Sequence, residues 1–127
     1  MTGKKKRKGS AKDKASELLR TVPHHNAFYF FTDLGQYTGK FATNLSDFSK
    51  KIETIDAKAI QFHFKRQDFQ KWTEETIGDS ELADEISKIP KSSKKEKLRE
   101  KIHKKVRTRV NQLKKVLASK ERYLERT

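Results

Sequence analysis

At 127 residues the chain has room for about one domain of ordinary size, which excludes two large ones. Thirty-one Lys and Arg against seventeen Asp and Glu leave a formal charge of +14, and this points to polyanionic partners. No run approaches the roughly 18 consecutive apolar residues of a membrane-spanning helix, and the lack of cysteine excludes disulfides, thiolate catalysis and cysteine-based zinc sites.

The basic arm comes first. Met1 to Ser10 includes Lys4, Lys5, Lys6, Arg7 and Lys8, with no apolar residue after Met1 to bury, so residues 1–10 are expected to be a disordered basic arm. Ala11, Lys12, Asp13 and Lys14 follow where a secretory signal would place its apolar stretch, and an intracellular, cytoplasmic protein is expected. The KKKRK run reads either as a nuclear localisation signal or as a nucleic-acid-binding arm.

Ala11 to Val22 predicts a helix with Ala15, Leu18, Leu19 and Val22 on one face, stopped by Pro23. The aromatic run from Ala27 to Thr32 predicts a strand, and Thr38 to Ala42 a second one returning after a turn marked by Gly35 and Gly39. Asn44 and Asp47 make an N-cap arrangement ahead of a helix carrying Leu45, Phe48, Ile52 and Ile55.

Residues 57–64 fit two periods. Ile60, Phe62 and Phe64 alternate as in a strand, whereas Ala57, Ile60 and Phe64 fit a helix, which is preferred. Phe69, Trp72 and Ile77 predict another helix ended by Gly78, and Leu82, Ala83, Ile86 and Ile89 a short one ended by Pro90.

After Pro90, Ser93 and Glu96 match the S-x-x-E capping box, and Leu98, Ile102, Val106, Val110, Leu113, Leu117 and Leu124 continue one stripe without Gly or Pro. A helix from Lys94 to Glu125 would be ~48 Å long. Projected at 100° per residue, its apolar stripe occupies roughly a third of the circumference. Glu96, Glu100, Glu121 and Glu125 share one edge, and Lys97, Lys101, Lys104, Lys115 and Arg122 another. Lys95, Arg99, Arg109 and Lys120 intrude on the apolar face.

Charge divides the chain in the same way. Residues 1–20 carry a net +6, residues 21–90 a net −3 and residues 91–127 a net +11. Eleven of the twelve aromatics lie between Phe28 and Trp72, so the middle is the core and the ends are basic appendages, one of which must cover it. Residues 11–90 are therefore expected to form a compact core and residues 91–127 a long basic amphipathic helix. Some cations are expected to pair with the acidic cluster Glu74, Glu75, Asp79, Glu81, Asp84 and Glu85, which is too small to neutralise both appendages.

Sharper motifs resolve into structural roles. Three residues separate Gly35 from Gly39, and Phe41 stands where a phosphate-binding loop needs Ser or Thr, so a hairpin turn is expected. Phe30, Phe62 and Phe64 could stack on bases but are needed as core, with Tyr29, Tyr37 or Phe31 the exposed exceptions. His63 near Arg66 and Asp68 lacks a nucleophile or metal cluster, and a structural polar contact is expected.

The stretch AFYFFTDLGQYTGKFATNLSDF and the later IQFHFKRQDFQKWTEETIGDSELADEI carry Phe28, Phe30, Gly35, Gly39 and Phe48, then His63, Asp68, Trp72, Gly78 and Asp79. Over residues 27–89 this pattern resembles a prokaryotic, largely archaeal domain family of unknown function. The resemblance implies a compact intracellular module and no activity, and it sets the basic arm and the long helix outside the match.

The expected fold is α+β and predominantly helical, a small core with one short β-hairpin plus the basic arm and helix. The expected function is non-enzymatic RNA binding in a ribosomal or ribosome-associated protein. Lys4, Lys5, Lys6, Arg7, Lys8, Lys97, Lys101, Lys104, Arg107, Lys115 and Arg122 would hold phosphates. RNA is the favoured partner, ribosomal RNA foremost, with ribosomal proteins beside it; no membrane, small-molecule substrate, cofactor or metal is expected. The alternatives are a chromatin-type DNA-binding protein and an interaction module whose helix pairs along Leu98 to Leu124.

Overall fold

A computed structural model describes residues 10–126, with side chains as far as Ser119. The first helix, α1, spans Ala11–Leu18 and begins with a complete capping box between Ser10 and Asp13. It is shorter than its apolar pattern predicts because the Val22 amide donates to the Thr43 carbonyl at 2.8 Å. Val22 is nevertheless buried beside Ala15 and Leu18.

After a 3₁₀ turn at His24–Asn26, β1 (Phe28–Asp33) and β2 (Gln36–Ala42) form an antiparallel hairpin. Phe28 faces Ala42, Tyr29 faces Phe41 and Phe31 faces Tyr37. Gly35 makes the expected turn, taking φ +72 at the tip, whereas Gly39 lies inside β2, which begins at Gln36, and takes φ +87 where the register slips between Tyr29 and Phe31.

Helix α2 (Leu45–Thr54) starts where Asn44 accepts the Asp47 amide, and α3 (Ala57–Arg66) where Asp56 accepts the Lys58 amide. The ambiguous 57–64 stretch is thus helical, burying Ala59, Ile60, His63 and Phe64 on the side facing β1 and α6. Next, α4 (Asp68–Lys71) runs directly into a π-helical stretch at Trp72–Ile77, a widening that sequence periodicity did not signal. Gly78, at φ +91, closes it. Arg20, at the end of the α1 segment, donates to the Thr76 and Ile77 carbonyls at 2.8 and 2.9 Å and so occupies the C-terminal carbonyls of that stretch.

Helix α5 (Ser80–Ser87) is capped by Asp79, and α6 (Lys95–Arg126) follows a turn after Pro90. The capping box expected at Ser93 and Glu96 is not made. Lys95, at φ +48, opens the helix, the Ser93 hydroxyl accepts from Lys101 at 3.2 Å, and the Glu96 carboxylate accepts from Arg99 at 2.7 Å.

The core is one cluster built around the aromatics, with the Phe28 ring 4.7 to 5.8 Å from those of Phe30, Phe48, His63, Phe69 and Trp72. Leu98, Ile102, Val106, Val110 and Leu113 of α6 belong to it. The appendage that the small core requires is therefore α6, which packs on α1, α2, α3 and α5. Its apolar stripe is spent within the chain as far as Leu113, which leaves that seam unavailable for pairing with a partner helix. No helix among the described residues is long and apolar enough to cross a membrane.

Candidate nucleic-acid interface

Two of the cations that intrude on the apolar face of α6, and one beside it, are used internally. Arg99 donates to the Ile52 carbonyl at 2.8 Å, capping the end of α2, and also pairs with Glu96. Arg109 reaches the Asp79 carboxylate at 2.7 and 3.1 Å and Glu81 at 3.3 Å. Lys105, a neighbour of the stripe, reaches Glu85 at 2.6 Å. The α5 acids thus neutralise one edge of α6, as the acidic cluster suggested.

Glu85 also holds Lys88 at 3.2 Å. Hydrogen bonds from Lys105 and then Lys88 hold the Glu85 carboxyl below its ordinary range. The Lys88 ammonium is raised in turn, first by its hydrogen bond to Glu85. These exposed groups stay ionised, and their charges cancel locally.

Lys97, Lys101, Lys104, Arg107 and Lys115 are all solvent-exposed, and none forms an ion pair among the described residues. They do not form a single line. Lys101 and Lys104 line a cavity of about 580 Å³ between α5 and α6, and the helical projection sets Lys97 and Lys115 on the same edge. Arg107 lies on the other side, in a cavity of about 270 Å³ toward α2 together with His103, Lys114 and Lys50. The projected edge of Lys97, Lys101, Lys104, Lys115 and Arg122 had not included Arg107, which the expected phosphate-binding set merged with them. Lys50 and Lys114 add cations that sequence reasoning had not singled out. Lys4, Lys5, Lys6, Arg7 and Lys8, and the Arg122 side chain, lie outside the described residues.

The other candidate chemistry lies on β1 and α3. His63 Nε2 accepts the Phe31 amide at 2.8 Å, and Nδ1 is 2.8 Å from the Asp68 carboxylate. Accepting through Nε2 requires the proton on Nδ1, so the neutral imidazole donates to Asp68. Burial lowers the His63 pKa, outweighing the Asp68 hydrogen bond that raises it. Both ring nitrogens are committed, which leaves neither as a free base or ligand and gives His63 the structural role expected from its neighbours.

Phe30 and Phe64 are buried, as the core reading requires, while Phe62 is half-buried beneath Arg66. Tyr29 and Tyr37 are exposed on the outer hairpin face, and Phe31 is half-buried there.

No curated protein and no solved structure matches the chain. A family model does match, over residues 10–107, a wider span than the 27–89 pattern. It takes in α1 and α6 as far as Arg107, so the long helix does not lie outside the shared module, in keeping with its place in the core. The chain accordingly belongs to DUF5752, a family of unknown function.

Proposed function

We propose that this protein is a non-enzymatic, cytoplasmic RNA-binding protein of ribosomal or ribosome-associated type. Its α6 cations and basic N-terminal segment would hold the phosphate backbone, with ribosomal RNA the foremost partner and ribosomal proteins as neighbours. One observation carries the reading. After α5 and the α2 carboxy end have taken Lys105, Arg109 and Arg99, the five cations Lys97, Lys101, Lys104, Arg107 and Lys115 of α6 still face solvent without a carboxylate partner among the described residues, as do Lys95 and Lys114.

A stability role does not explain those five, since exposed cations without partners contribute almost nothing to folding. Rigidly spaced on a helix, they suit phosphates, whose affinity for such a surface comes largely from counterion release. Phosphate contacts position the chain without reading sequence.

Purification from native cells, with and without RNase or DNase, followed by sequencing of the bound fraction, tests this. Ribosomal RNA lost on RNase treatment is expected. Genomic DNA lost only on DNase treatment, or no nucleic acid at all, would contradict it.

A further inference from the structure

The −3 balance of residues 21–90 conceals a separation of charge in space. Its acids concentrate at α5 and the segment just before it, where α6 cations meet several of them. Elsewhere on the core, α3 carries Lys58, Phe62, Lys65 and Arg66 at spacings of four, three and one, which places them on one helical face. That face lines a trough of about 800 Å³ between the hairpin tip, α3 and the turn before α6, where Lys91 adds a fourth cation. A cavity of about 290 Å³ shares Leu34, Phe62 and Arg66 with it and continues the trough to Phe31 and Tyr29.

The trough combines cations with ring surfaces. Lys58, Lys65 and Lys91 are exposed and make no ion pair among the described residues, and Asp33 and Asp68 are the acids on its walls. Leu34, at the hairpin tip, is 73% exposed, an apolar side chain that the fold leaves in water.

Arg66 is a built platform. Its guanidinium lies 5.1 Å from the Phe62 ring centroid, its Nε donates to Asp68 at 3.0 Å, and its side chain remains 51% exposed. The same Asp68 is held by His63, whose other nitrogen is fixed by the Phe31 amide. A chain of hydrogen bonds from the β1 backbone therefore orients the guanidinium plane with its outer side open.

We infer that this trough is a second nucleic-acid site, one that takes the unpaired nucleotides of a single RNA strand, with a base stacked on the Arg66 plane and phosphates on Lys58, Lys65 and Lys91. The inference rests on the RNA-binding reading and names the class of RNA. Aromatic and guanidinium planes accept any base that is free of its partner, while flanking cations follow the backbone. A duplex keeps its bases stacked inside and cannot use the platform.

Full-length protein is titrated against a fluorescent oligouridine strand and an RNA duplex of equal length, using three variants. The first is Lys58→Gln, Lys65→Gln and Lys91→Gln together, which alters only exposed side chains. The second, Arg66→Ala, removes the platform. The third carries Lys97, Lys101, Lys104, Arg107 and Lys115 all changed to Gln. The trough variants should lose roughly tenfold or more in strand affinity, with duplex affinity little changed. Unchanged strand affinity in both trough variants overturns the site, and equal losses for strand and duplex overturn its single-strand character. Displacement of the strand by oligoglutamate at comparable concentration would assign the trough to an acidic protein instead. Loss in the trough variants with none in the α6 variant removes the α6 reading and keeps the trough; the converse removes the trough alone.

Discussion

Arg109 of α6 donates through two nitrogens to Asp79, at 2.7 and 3.1 Å, and the Asp79 side chain is 1% exposed. The same carboxylate accepts the Leu82 amide at 3.1 Å, so one residue both caps α5 and anchors α6 across 30 positions of sequence. A charge so enclosed depends on its partner. Replacing Arg109 with Met should cost about 3 kcal/mol by leaving a buried carboxylate unpaired. Adding Asp79→Asn should recover part of that loss, because Asn keeps the cap while removing the charge. Urea denaturation gives both values, and a single-variant cost below about 1 kcal/mol would place this pair with ordinary surface bridges.

His63 makes stability depend on pH in a definite direction. Its folded pKa lies below the ordinary 6.5, first through burial. Between 6.5 and the lowered value, the unfolded chain holds a proton that the folded chain does not, so stability rises with pH there. The contribution is complete above 6.5 and is lost as pH falls through the folded value. Protonation would also turn Nε2 into a donor facing the Phe31 amide. Denaturation midpoints across that window should fall with acidification in the natural protein and fall less in His63→Gln. Nitrogen NMR should report the Nδ1-protonated tautomer near neutrality; an Nε2-protonated ring would refute this arrangement.

Removal of α6 should unfold the protein. Leu98, Ile102, Val106, Val110 and Leu113 are each at most 5% exposed. At roughly 1.5 to 3 kcal/mol per buried aliphatic side chain, their loss amounts to about 8 to 15 kcal/mol, the whole stability of a typical domain. A chain ending at Pro90 should therefore show no cooperative thermal transition by circular dichroism. A sharp transition would mean that residues 10–90 fold alone. For the same reason, nucleic-acid binding is better tested by surface substitutions than by truncation.

Most of the fold was legible because its helices are amphipathic with good caps. Asn44 and the stripe through Leu45, Phe48 and Ile52 specify α2 on their own, and Gly35 specifies the tip of the hairpin. Three features were not legible, for different reasons. The π-helical stretch departs from the 3.6 period that makes helices readable. The Ser93–Glu96 box lost its side chains to Lys101 and Arg99, neighbours that the four-residue motif does not include. The trough on α3 was hidden because net charge was summed along the chain, whereas Lys58, Lys65 and Arg66 are sorted from the α5 acids only by folding.

The projection of α6 identified Lys97, Lys101, Lys104 and Lys115 as exposed, and it flagged Arg99 and Arg109 as misfits on the apolar face. It could not supply their partners. The Ile52 carbonyl and the Asp79 carboxylate come from segments 47 and 30 residues away. At Arg99 and Arg109 a cation among apolar residues marks where α6 crosses the end of another element.

The salt dependence of RNA binding tests the central claim most directly. Affinity for a single RNA strand is measured over a series of salt concentrations for the natural protein and for the variant with Lys97, Lys101, Lys104, Arg107 and Lys115 changed to Gln. If all five contact phosphates, the slope of log affinity against log salt should become shallower by about 3.5. Thermal stability should remain nearly unchanged, since the five side chains are exposed and make no ion pair among the described residues. Equal slopes and equal affinities for the two proteins would contradict the assignment of α6 as the phosphate-binding surface.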